Sequence, residues 1–148
     1  MNPPLRTQAD VDAIIEGLTD GTLDCIATDH APHTVEEKSG FEKAPNGSVG
    51  METSFAVANT YLVKTGVLTL GQLVEKMSVN PAKLLGISAG SLAVGAPADI
   101  ALIDPNEQWT VDVNRLHGKS KNTPFKGMTL TGKVKRTLLD GKTVFIDN

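Results

Sequence analysis

The chain has 148 residues, of which 40% are hydrophobic and 21% charged, the balance of a soluble globular protein with room for one ordinary core. A formal net charge of −3 and an aromatic content of 4% argue against nucleic acid or an anionic membrane as partner, since these call for a basic field or stacking platforms. One cysteine, Cys25, excludes an intrachain disulfide framework and fits a reducing, cytoplasmic compartment. The opening Met-Asn-Pro-Pro-Leu-Arg has no apolar run of the signal-peptide kind, and no stretch approaches the ~20 apolar residues of a membrane helix.

Thr7 is placed to cap a helix whose apolar positions Val11, Ile14, Ile15 and Leu18 recur at i, i+3, i+4 and i+7, and Asp20-Gly21 stops it. Leu23 to Thr28 is short, mostly apolar and bounded by polar residues, which predicts a buried parallel strand. Cys25 in that strand reads as a packing thiol. Residues 29–50 carry two prolines and three glycines and read as a long loop, and loops this long in compact domains are usually functional or disordered.

Met51 to Thr65 suits a helix with Phe55, Ala58, Tyr61 and Leu62 on one face and Gly66 beyond its end. Leu70, Leu73, Val74 and Met77 mark another after Thr69. Asn80-Pro81 predicts a restart, with Asn80 as cap and Pro81 at the first helical position, closing at Gly86. Ala98 to Ile103, Trp109 to Val113, Lys133 to Leu139 and Thr143 to Ile146 read as strands, with Asp140-Gly141 as a hairpin turn. Two units are therefore expected, α/β over residues 1–90 and mostly β over residues 91–148. Lys119 to Lys126 reads as a solvated basic loop, His117 as a loop histidine, and Lys133, Lys135 and Arg136 as an exposed strand face.

The densest polar constellation is Thr28-Asp29-His30-Ala31-Pro32-His33. An Asp just past a buried strand, followed by His at +1 and +4, sits where barrel enzymes keep catalytic groups, at the C-terminal ends of strands. A carboxylate there can ligate a divalent metal or act as general base, and a neutral imidazole can ligate metal or bind an anion. Spacing alone equally allows an Asx-turn with two surface histidines.

The stretch Asp-His-Ala-Pro-His after Ile-Ala-Thr resembles the last-strand motif of bacterial (class I) dihydroorotases in the amidohydrolase superfamily. Residues 2–6 (Asn-Pro-Pro-Leu-Arg) resemble the loop before the family's seventh helix. Residues 44–53 (Ala-Pro-Asn-Gly-Ser-Val-Gly-Met-Glu-Thr) resemble its substrate-covering loop, and residues 90–100 its return into a small β-domain. The resemblance spans essentially the whole chain. It implies an α/β chain that is the C-terminal part of a (β/α)8 metal-dependent hydrolase barrel over residues 1–90, followed by part of a small composite β-sandwich domain over residues 91–148.

The implied activity is reversible hydrolysis of the cyclic amide of dihydroorotate to N-carbamoyl-L-aspartate in pyrimidine synthesis, with one or two zinc ions in a complete site. Carried over by position, Asp29 is the metal-associated general base, His33 binds the substrate carboxylate, Asn2 contacts the substrate, and Pro45 and Gly47 lie against the ring. His30 keeps a structural role. Asn46 departs from the aromatic residue more common at its position. The family's His-x-His pair, its middle acidic ligand and its two later histidines have no counterpart in the sequence.

A whole barrel takes ~250 residues, so a fragment is expected, inactive and without tight zinc when alone. The alternatives are a non-catalytic subunit scaffolding aspartate transcarbamoylase, or another cyclic amidase such as an allantoinase or hydantoinase. A full-length relative is expected to be a homo-oligomer.

Overall fold

The computed structural model describes residues 2–147. Helix α1 (Gln8–Asp20) begins where the sequence places it. The Asp10 carboxylate accepts hydrogen bonds from the Thr7 hydroxyl (2.7 Å) and amide (2.9 Å), which hold its pKa below the ordinary value. Gly21 ends the helix in the left-handed conformation, φ 88°. Leu18 is buried and Gly17 lies against Leu23, whereas Val11 and Ile14 remain exposed at 44% and 54%.

Residues 23–28 have no regular secondary structure and form no strand, contrary to the sequence reading. A strand exists only through hydrogen bonds to neighbours, and none of the described strands lies beside this segment. Instead it is fastened to the helices that follow. The Ile26 amide donates to Lys76 O (2.9 Å), Lys76 Nζ to Leu23 O (2.7 Å) and Asn80 Nδ2 to Asp24 O (3.0 Å).

Helix α2 (Ser54–Ala58) continues as a π-turn over Asn59–Val63. Helix α3 (Leu70–Val74) opens on a Thr69–Gln72 capping box, widens into a π-turn over Glu75–Val79 and runs into α4 (Asn80–Leu85). No break occurs at Asn80-Pro81: Asn80 is helical (φ −68°, ψ −44°), and its side chain serves Asp24 rather than a cap. Proline clashes with the carbonyl four residues back in a regular helix. The wider turn just before Pro81 relieves that conflict.

Among the described residues three strands, β1 (Ile100–Thr110), β2 (Thr129–Leu139) and β3 (Lys142–Ile146), form one antiparallel sheet in the order β1-β2-β3. The two strands expected before residue 113 are one strand interrupted by a bulge. Asp104 pairs with Lys133 and Gln108 with Thr131, so the bulged strand carries extra residues there. Asp104 Oδ1 accepts the amides of Asn106 (2.8 Å) and Glu107 (3.2 Å), and Pro105 has no amide to give. The Asp140-Gly141 hairpin is as expected, with φ 48° and 72°.

The core lies between α2 and the sheet, where Ala56, Val111 and Leu130 are buried with Trp109, Phe125 and Met128 against them. It draws residues from both sides of position 90. Asn59 is fully buried, donating from Nδ2 to Thr131 O (2.8 Å) and Pro105 O (3.1 Å), and the Thr131 amide donates to Thr60 Oγ1 (2.8 Å). Gly132 has φ 108°, and a Cβ there would stand 2.7 Å from the Phe55 ring. Only glycine lets β2 approach α2 this closely.

Lys133 and Lys135 are not an exposed face. Both are half-buried in a charge cluster with Glu107 and Asp147, at N–O separations of 2.6 to 3.3 Å. Hydrogen bonds from Lys135 first and Lys133 second hold the Glu107 carboxyl low. Arg136, on the opposite face, is exposed.

Candidate active site

The loop over residues 29–50 folds back on itself. His30 and Ser48 form an isolated parallel bridge, and the Ala31 amide donates to Ser48 O (2.9 Å). His30 Nδ1 accepts the amides of Gly50 (3.1 Å) and Met51 (3.3 Å). An accepting Nδ1 places the proton of the neutral ring on Nε2. His30 thus anchors the entry to the helical segment that follows.

This folding brings His33 and Gly47 together. His33 Nε2 lies 3.0 Å from Asn46 O, and its Nδ1 lies 3.4 Å from a Glu37 carboxylate oxygen. A Cβ on Gly47 would stand 2.5 Å from Ala31 Cβ and 3.4 Å from His33 Nε2, at φ 120°. Position 47 therefore requires glycine, both for its backbone conformation and for the close approach of Ala31, with the imidazole at ordinary contact distance beyond. Pro45 joins the same cluster through Lys38, whose Nζ donates to Pro45 O (2.7 Å) and Gly47 O (2.8 Å).

Asp29 and Asn2 are placed differently. Asp29 is exposed in the left-handed region at φ 45°, a strained conformation of the kind that concentrates at functional sites. Asn2 is exposed near the start of the described residues. The hydrogen-bond and ion-pair partners of the His33 side chain are Asn46 and Glu37, neither of them Asn2 or Asp29.

A zinc site fits only in part. An exposed carboxylate at Asp29 suits a metal ligand, but among the described residues no three His, Cys, Asp or Glu side chains converge. A catalytic zinc takes about three protein ligands, more than converge at Asp29 among the described residues.

Four partners escaped the sequence reading. Ser120 and Asn122, in the segment read as a solvated loop, are buried and half-buried against His33 and Gly47. Lys38 carried no signal beyond its charge. Glu52 lies in the 44–53 motif, and its carboxylate accepts the His117 amide (3.0 Å), the His117 ring nitrogen Nδ1 (2.9 Å) and the Gly118 amide (3.1 Å). Partial burial alone would raise the Glu52 carboxyl. The bonds from His117 and Gly118 outweigh it and hold the pKa below the ordinary value.

The family model described as the amidohydrolase family matches residues 3–144, and the chain belongs to that family. Within it, the chain is similar to dihydroorotases: 59% identical over 145 residues to that of Acetivibrio thermocellus, and 52% over 147 residues to that of Caldanaerobacter subterraneus subsp. tengcongensis. These alignments cover 97% and 99% of the chain but 34% of each relative, so the chain spans about a third of the length of the curated relatives it matches. Among solved structures, a dihydropyrimidinase from Brevibacillus agri matches with a TM-score of 0.90 at 33% identity, over 97% of this chain and 33% of that one. L-Hydantoinase (dihydropyrimidinase) from Arthrobacter aurescens matches at 0.88 and 36%, over 96% of this chain and 33% of that one.

Proposed function

We propose that the chain supplies one part of a zinc-dependent dihydroorotase, which reversibly hydrolyses the cyclic amide of (S)-dihydroorotate to N-carbamoyl-L-aspartate in de novo UMP synthesis. Residues 1–90 are read as the C-terminal portion of the amidohydrolase barrel and residues 91–148 as part of the small β-domain. The observation that carries the reading is the approach of the Asn46–Gly47 backbone to the His33 imidazole, with Asn46 O 3.0 Å from Nε2, which puts a peptide surface beside a ring N–H able to take an anion. Higher identity to dihydroorotases than to the hydantoinase structures supports the same choice.

His33 is proposed to receive the substrate carboxylate on the N–H that here donates to Asn46 O. Exchanging a carbonyl for a carboxylate acceptor turns that bond into a charge-assisted one. Pro45 and Gly47 would line the ring, and Asn2 would contact the substrate once the rest of the enzyme is in place. Asp29 would be one metal ligand and would carry a proton between the attacking water and the ring nitrogen. Zinc, when bound, supplies a nucleophilic hydroxide and polarises the carbonyl, but its remaining ligands must lie outside this chain. The isolated chain is accordingly proposed to be inactive.

Exposed apolar residues support burial against further polypeptide: Val11 and Ile14 on α1, and Leu84 and Leu85, at 78% and 70%, on α4. A homo-oligomeric, cytoplasmic enzyme, with aspartate transcarbamoylase as the partner to seek by co-purification, completes the proposal. The direct experiment is a chimera in which this chain replaces the matching third of the A. thermocellus relative. Turnover of dihydroorotate well above that of hydantoin or allantoin is the expected result. Preference for either of the others, or no turnover of dihydroorotate, would refute the reading.

A further inference from the structure

Ser120 lies 87 residues from His33 in sequence, in a segment outside the strands, yet both main-chain groups of His33 end on its side chain. The His33 amide donates to Ser120 Oγ (3.1 Å), and the Ser120 hydroxyl lies 2.6 Å from His33 O. The same hydroxyl lies against Asn122 Oδ1, and its single proton serves one of these two oxygens at a time. Ser120 is 7% exposed, so water cannot substitute easily for these bonds, and a buried carbonyl left unpaired is costly.

Asn122 completes the link. With Oδ1 turned to Ser120, its Nδ2 donates to Gly47 O (2.8 Å), and its own carbonyl accepts the Val49 amide (2.9 Å). Gly47 O receives Lys38 Nζ as well, and Asn46 O returns to the His33 ring. The result is a closed circuit from the His33 backbone through Ser120, Asn122 and Gly47 back to the His33 imidazole. One side chain fixes the direction in which His33 projects, and the next fixes the loop facing it.

We infer that Ser120 and Asn122 are positioning residues, holding His33 and the Gly47 backbone at the separation that a carboxylate-bearing cyclic amide requires. The substrate in this inference rests on the dihydroorotase reading above. The bracing itself does not.

The test uses Ser120→Ala, Asn122→Ala and two companions. Ser120→Thr keeps the hydroxyl. Asn122→Asp keeps the size and the Ser120 contact but replaces the donor to Gly47 O by an acceptor, so it loosens the loop without emptying space. Amide hydrogen exchange in the 148-residue chain is expected to speed by at least about tenfold over residues 44–50 in the Ala and Asp variants, with residues 8–20 unchanged. In the chimera, KM for dihydroorotate is expected to rise at least about tenfold while kcat stays within about threefold, and Ser120→Thr restores both readings. Unchanged exchange over residues 44–50 would overturn the inference, as would a loss in kcat with KM unmoved. A chimera inactive before any substitution would defeat the dihydroorotase reading, while the exchange result would still decide the bracing.

Discussion

Helix α2 is covered along its length within the described residues, whereas helix α1 is covered only near its C-terminal end. Against the sheet, α2 buries Ala56 and seats Phe55 over Gly132, and the π-turn that continues it ties Asn59 and Thr60 to β2 by hydrogen bonds. Helix α1 buries Gly17 and Leu18 and leaves Val11 and Ile14 in solvent. The residues after it are held by Lys76, Asn80 and the Leu23 amide on Gly17 O, with no strand pairing among the described residues. An apolar face or a strand-forming sequence thus specifies what a segment needs, and the fold is finished only where the partner is present.

Leu130→Ala strikes the finished region and is expected to have the largest effect, about 2–5 kcal/mol by chemical denaturation, because Leu130 is fully buried. Gly132→Ala should follow, at about 1–3 kcal/mol, since the added Cβ meets Phe55 at 2.7 Å on a strained backbone. Glu52→Gln should cost under about 1 kcal/mol near neutrality, its carboxylate being partly solvent-screened.

That last effect has a pH signature. The folded-state pKa of Glu52 lies below its ordinary value of 4.5, so the native state binds fewer protons than the unfolded chain. The contribution is present above about pH 4.5 and lost as pH falls through the lower folded value. Melting curves between pH 3 and 7 (the range that brackets a carboxyl titration, about 4) should therefore converge for native and variant chains at the acid end. Ile14→Asn should be smallest in the isolated chain, within about 0.5 kcal/mol, yet should impair folding of the chimera. A loss at Ile14 as large as that at Leu130 in the chain alone would erase the contrast between the two helices.

Local chemistry was legible in the sequence. Thr7 and Gly21 bound α1, Asp140-Gly141 turns the hairpin, and the prolines and glycines of residues 29–50 make a loop. What depended on distant residues was not. Leu23 to Thr28 reads as a strand by composition, but pairing is a property of its neighbours. Pro81 reads as a helix start, and only the π-turn before it lets the helix pass through. Within the site, the 28–33 and 44–53 motifs pointed to His33 and Gly47, which do meet. Ser120 and Asn122 lack any motif, because a serine and an asparagine in a lysine-rich stretch look like solvated surface until the chain folds.

The most direct measurement is the initial rate of dihydroorotate hydrolysis by the chimera, with Asp29 intact and with Asp29→Asn. If Asp29 carries the proton within a site completed by other polypeptide, the intact chimera turns over and the substitution lowers kcat by about 10²–10⁴-fold. A chimera whose rate is unaffected by Asp29→Asn would contradict that role.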